Sequence, residues 1–185
     1  MNRGFGSKFA VVVVLLFACH SGQGASEDSK QDAAGGKYHD NTADGKKSLG
    51  GSGELIHFTV SEGKKIAGIK IHGSRYGQPD APDEDFLVYF LDEEGKDVIS
   101  TQLAPYSLFK RGAEKWVNVR FKKPVDVPTE FWISLDFRPH QTKGVYVSYD
   151  TSSGGKHSKV GLPGQEPKDV DFAGDWMVEL VPAKK

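Results

Sequence analysis

The chain reads as an all-β protein, an antiparallel β-sandwich of jelly-roll-like form with about eight strands, preceded by a signal peptide and a disordered linker. Two observations predict this. From Glu54 onward apolar residues recur at alternate positions, the spacing that gathers side chains on one face of a strand. No segment there keeps a helical period for more than a turn or two. The alternation is clearest between Glu130 and Asp150. Phe131, Ile133, Leu135 and Phe137 share one parity of a first segment, and Val145, Val147 and Tyr149 share one parity of a second. Each set asks for a second layer to cover it.

Composition narrows the classes. With 185 residues, 26% of them charged, the chain holds one domain plus extra segments. A net charge of -1, with no stretch rich in Lys and Arg, argues against nucleic acid as a partner. A single cysteine, Cys19, excludes an intrachain disulfide and a thiolate metal cluster.

At the N-terminus, Arg3 and Lys8 precede an apolar run from Phe9 to Ala18, too short to span a bilayer and typical of a signal peptide over residues 1–18. The run ends in Leu16-Phe17-Ala18-Cys19, which resembles the bacterial lipobox, although Phe17 stands where a smaller residue is usual. The resemblance implies lipid attachment at Cys19 and a membrane anchor in the cell envelope, facing periplasm or exterior. Cleavage after Gly24 or Ala25 would instead give a freely secreted protein. Each buried methylene of such a lipid contributes about 0.8 kcal/mol. Residues 19–53 are mostly small and polar, with Leu49 and Tyr38 as the large apolar exceptions. Their composition predicts a flexible linker, the alternative being a segment of edge strand or short helix that docks on the domain.

The domain is expected over residues 54–182, with 183–185 as a tail. Ile56, Phe58 and Val60 share a parity, as do Ile69 and Ile71 after a Ser-Glu-Gly-Lys turn, so the pair reads as a hairpin. Gly73 to Asp85 is a loop by its glycines, prolines and acids. Phe86 to Leu91 is apolar on both parities and belongs inside a sheet; V-I-S-T pairs back on it after a turn at Gly95. Pro105 disfavours a central strand, and Tyr106 and Phe109 are the anchors of a crossing segment. Trp116 to Phe121 alternates again, Val125 to Val127 is a short edge piece, and residues 152–174 form a long loop. Asp175 to Val181 closes the domain, which should fold without the linker or the lipid.

No catalytic signature is present, and the expectation is a protein that is not an enzyme. Gly154-Gly155-Lys156-His157 lacks the hydroxyl and the βαβ setting of a phosphate loop. His57 and His72 fall on outward parities and read as solvated. Asp80, Asp83, Glu84 and Asp85 crowd one loop with hard oxygen ligands of the kind calcium takes; no other cofactor is implied. Trp132 and Tyr146 have outward parity, where aromatic rings stack on sugars, with Asp136, Arg138 and Asp150 as polar partners.

The stretch F-W-I-S-L-D-F through T-K-G-V-Y-V-S-Y-D, with S-K-V-G-L-P-G and the late G-D-W-M-V, resembles a domain of uncharacterised exported bacterial lipoproteins, planctomycete-like ones especially. The likeness covers Leu55 to Val181 and is similar in outline to galactose-binding-like jelly rolls. It implies fold and compartment, and no binding residues. The expected function is a cell-envelope lipoprotein with a non-catalytic β-sandwich binding module, for envelope polysaccharide or another envelope protein. The alternatives are an accessory or structural subunit of an envelope protein complex, and a hydrolase with an unrecognised site.

Overall fold

The structure, a computed structural model, describes residues 36–184. The signal peptide, Cys19 and the linker as far as residue 35 lie outside the described residues. Twelve strands form two antiparallel sheets: β1 (Gly45–Lys47), β2 (Glu54–Thr59), β3 (Lys65–Gly77), β4 (Asp85–Leu91), β5 (Val98–Pro105), β6 (Lys115–Asp126), β7 (Glu130–Asp136), β8 (Lys143–Asp150), β9 (Ser158–Val160), β10 (Lys168–Asp169), β11 (Asp175–Trp176) and β12 (Val178–Pro182). One sheet contains β1, β3, β6, β8, β11 and β12; the other runs β10-β9-β2-β7-β4-β5. The count exceeds eight because β1, β9, β10 and β11 are short and come from segments with loop composition.

The inward parities meet in one core. Ile56, Phe58, Phe86, Val88, Phe90, Phe131, Ile133 and Leu135 come from the second sheet; Ile69, Ile71, Val145, Val147 and Val178 come from the first. Successive strands change sheet at nearly every step. Only the β4–β5 and β9–β10 connections and the β11–β12 step stay within a layer. The expected hairpin of β2 and β3 is therefore an arch. Both strands carry a single apolar face, and the core is satisfied equally well when the chain crosses above it as when it turns back beside itself.

The first sheet is built on β3. On one side it pairs with β6; on the other it pairs with β12 over Ile66–Ile71 and with β8 over Gly73–Gly77. Beyond that point β8 pairs with β11 at Tyr149 and Asp150. The two strands thus fork, and the last strands of the chain fill the fork. Met177 stands at its apex, donating its N–H to the Ser148 carbonyl at 2.9 Å and accepting from the His72 N–H at 3.0 Å.

Residues 36–53, expected as linker, are instead part of the domain. The Gly36 carbonyl accepts from the Leu180 N–H at 3.4 Å, and the Tyr38 ring stacks on His157 at 3.7 Å and on Phe58 at 5.6 Å. The His39 side chain is fully buried, 4.9 Å from the Trp116 ring and 3.4 Å from the Glu179 carboxylate. Further on, Asp40 N–H donates to Asp150 Oδ2 at 3.0 Å, and β1 adds to the free side of β8. Few apolar residues suffice here because the partner surface is already formed. Tyr38 lies against a finished core, and strand pairing replaces the backbone's water contacts.

Between β5 and β6 the chain makes a 3-10 turn at Tyr106–Leu108. Tyr106 and Phe109 are both fully buried, as their anchoring role requires. The Tyr106 hydroxyl donates to the Phe137 carbonyl, and burial raises its pKa. Tyr106→Phe strands that carbonyl and is expected to lower stability by about 1 kcal/mol, read from a urea unfolding midpoint.

Candidate functional site

The residues expected to form a sugar platform do not share a surface. Trp132 lies on β7 and Tyr146 on β8, in different sheets, each on the parity opposite to a buried set. The two rings therefore face away from each other across the sandwich. Parity alone decides which side of a strand a residue occupies, but the topology decides which sheet that strand joins. Trp132 is half-buried, its Nε1 donates to the Glu93 carbonyl at 2.9 Å, and its ring lies 4.8 Å from that of His57. Tyr146 packs on Tyr76 at 4.7 Å, with the Lys46 ammonium 5.1 Å from its ring.

The polar partners are committed to holding the fold. Asp136 Oδ1 accepts from the Arg138 N–H at 3.0 Å, closing the turn after β7. Arg138 sits at a φ of 43° and donates through its guanidinium to the Asp85 carbonyl. Asp150 is buried, which pushes its pKa up, but hydrogen bonds from Ser152 and Asp40 outweigh this and hold it below the usual range. Its role is to fasten the 36–44 segment. His57 and His72 also stand in different sheets, on β2 and β3. His72 Nδ1 lies 2.9 Å from Ser148 Oγ, and Ser148 is fully buried.

The acidic loop does not converge on a point. Among the described residues no three metal-ligating side chains come together. Glu84 turns to Lys143 and, at 3.8 Å, to Arg138; the hydrogen bond from Lys143 holds its pKa low. Beneath the loop the buried Arg75 donates to the carbonyls of Gln78, at 2.5 Å, and Pro79. Pro79 and Pro82 limit the backbone here, and Asp80, Asp83, Glu84 and Asp85 do not bring three ligating side chains to one point, as the expected calcium site requires. What the loop does form is one wall of an open cleft of about 280 Å³, lined by Ala81, Pro82, Asp83, Glu84, Asp85, Pro105 and Ser107.

That cleft lies at the end of β5, the feature that sequence reasoning missed. β5 is the terminal strand of its sheet, so one row of its backbone groups is not paired to another strand. Val98, Ile99, Leu103 and Leu108 are the exposed large hydrophobic residues among those described, and Leu103 is 62% exposed. All four fall between Val98 and Leu108. No charged residue occurs from Val98 to Phe109.

The other edges differ. β1 carries Lys46 and Lys47; β10 is only Lys168 and Asp169. β6 carries Lys115, Arg120, Lys122, Lys123 and Pro124. Charges and prolines on an edge discourage strand addition; β12, which ends the strand path of the first sheet, carries Glu179 and Pro182, whereas β5 ends in Pro105 but lacks charge. The comparisons add no relative: no family model and no curated protein matches this chain.

On the face beside β5, Leu87 pairs with Leu103 and Tyr89 with Thr101, both half-buried and extending the apolar strip inward. Chemically this edge offers backbone donors and acceptors flanked by apolar side chains, the surface on which an extended segment adds as a further strand.

One titratable group stands apart from the edge. Glu54, at the start of β2, is 2% exposed and points inward with Ile56 and Phe58. Burial, assisted by the Asp136 charge, raises its pKa to about 8. Nothing in the sequence distinguishes this glutamate from a solvated one at a strand end.

Proposed function

We propose that the protein is an exported, membrane-tethered β-sandwich that serves as an accessory or structural subunit of an envelope complex, docking an extended segment of a protein partner along β5. The observation that carries this reading is the unpaired β5 edge, free of charge and rich in exposed apolar residues, in a molecule whose other edges are charged. The basic, apolar N-terminus ending at Cys19 supports the compartment. A binding role without catalysis accords with the main polar side chains near the expected site, which serve the fold. A polysaccharide ligand is less well supported, because Trp132 and Tyr146 lie on opposite faces.

The test is a photo-crosslinker at Thr101 in the intact protein, activated in native membranes. One stoichiometric protein adduct is expected, and Leu103→Lys, which places a charge on the edge at an exposed site, should reduce it at least about fivefold while leaving the unfolding midpoint within about 0.5 kcal/mol. An adduct pattern without a dominant partner, or one indifferent to the lysine, would overturn the reading.

A further inference from the structure

Resting on the docking reading, we infer the chemistry of the partner: an uncharged apolar strand with a Lys or Arg at each end, supplied by a different protein and not by a second copy of this chain. The charges around β5 carry the inference. The strand itself is neutral, but both of its ends are acidic. At the Pro105 end stand Asp83, Glu84 and Asp85, which wall the cleft. At the Val98 end the β4–β5 turn is Asp92-Glu93-Glu94-Gly95-Lys96-Asp97, four acids against one lysine.

These acids are not equally free. Asp92 Oδ1 accepts from the backbone of Lys96 at 2.8 Å and Asp97 at 3.2 Å, and Glu94 meets Lys96 at 3.4 Å. Glu84 is paired with Lys143. By contrast, the carboxylates of Asp83, Asp85, Glu93 and Asp97 have no hydrogen-bond or ion-pair partner among the described residues. Asp83 is exposed and Asp85 half-buried, while Pro105 and Ser107 bring the cleft to the end of the strand. A strand laid along β5 therefore passes from one group of carboxylates, where Lys143 and Arg138 answer Glu84 and leave Asp83 and Asp85, over a neutral stretch to a second group. A basic residue beyond each end answers both.

The same charges disfavour self-association. A twofold axis through β5 would pair it antiparallel with its copy, bringing the copy's Asp92–Asp97 turn toward Asp83 and Asp85. Like charges then meet at both ends of the shared sheet. The acids act as gatekeepers against the protein's own edge and as selectors for a partner with basic flanks.

The experiment measures binding to the full chain of three synthetic alternating Val-Thr peptides, alike except for the residue at each end: lysine, glutamine or glutamate. Lysine should bind best and glutamate worst, with about fivefold or more between the extremes at low salt and little difference at 1 M salt. Asp83→Asn combined with Asp85→Asn should weaken the lysine peptide and leave the glutamine peptide unchanged. Equal binding of all three peptides would overturn the inference while leaving the docking reading intact if the Thr101 adduct persists. Binding of none would overturn it too; the docking reading falls with it only if the membrane adduct is also absent. A stable dimer at micromolar concentration, abolished by Leu103→Lys, would show the second copy to be the occupant and overturn it as well.

Discussion

A chain begun at Glu54 is expected to be about 5 kcal/mol less stable than one begun at Gly36, read from urea midpoints and slopes. Three side chains carry most of this difference. Tyr38 stacks on Phe58 and His157, His39 is fully buried against Trp116, and Leu49 packs against the core. Complete burial of an apolar or aromatic side chain contributes about 1.5–3 kcal/mol. Tyr38 and Leu49, partly buried, fall toward the lower figure, and His39, whose ring nitrogens are buried without a hydrogen bond, contributes less. Removing the segment also strips β1 from the free side of β8 and releases the Asp40 N–H from Asp150. A loss of that size is comparable with the whole stability of an ordinary domain, about 5–15 kcal/mol. The shorter chain should therefore be partly unfolded at 37 °C. Equal midpoints for the two chains would show that residues 36–53 rest on the sandwich without supporting it.

The second large effect is a loss of stability as the solution turns alkaline. In the unfolded chain Glu54 titrates near the ordinary carboxylate value of 4.5, and in the folded protein burial raises it to about 8. Between those values the unfolded state has released a proton that the folded state keeps, so stability falls as pH rises through the window. Histidines work the other way. Burial lowers the pKa values of His39, His57, His72 and His157 below 6.5, so their contribution is present above that pH and is lost as pH falls through their folded values. The opposing slopes overlap below pH 6.5. From pH 6.5 to 8 the Glu54 slope stands uncovered and amounts to about 2 kcal/mol. Glu54→Gln, neutral throughout and close in shape, should flatten the profile over that range. A wild-type profile already flat there would mean that Glu54 is ionised in the folded protein.

The sandwich was legible because its core is written in alternation. Phe131, Ile133 and Leu135 are buried, as are Val145 and Val147, and no packing detail was needed to place them on inner faces. Which strands stand side by side was not legible. The Ser-Glu-Gly-Lys segment after β2 suits a hairpin or an arch, and the choice rests on contacts far away in the chain. Trp132 and Tyr146 were set on outer faces correctly, but nothing local says that β7 and β8 belong to opposite sheets. Residues 36–47 were illegible for a different reason. Their composition is that of a solvated segment, and they are ordered by surfaces that exist only after the rest has folded. The β5 edge was half legible: the charge-free run from Val98 to Phe109 is plain in the sequence, but its position at a sheet border is a property of topology.

The fork between β3 and β8 bears on when the protein can fold. Its filling strands are the last of the chain, and Leu180, in β12, also holds the Gly36 carbonyl. The first sheet therefore cannot close, nor can Gly36 take its place, until β12 has been made. Until then the chain keeps an open seam between β3 and β8. Its closure brings residues far apart in the chain, Gly36 and Leu180, to one hydrogen bond.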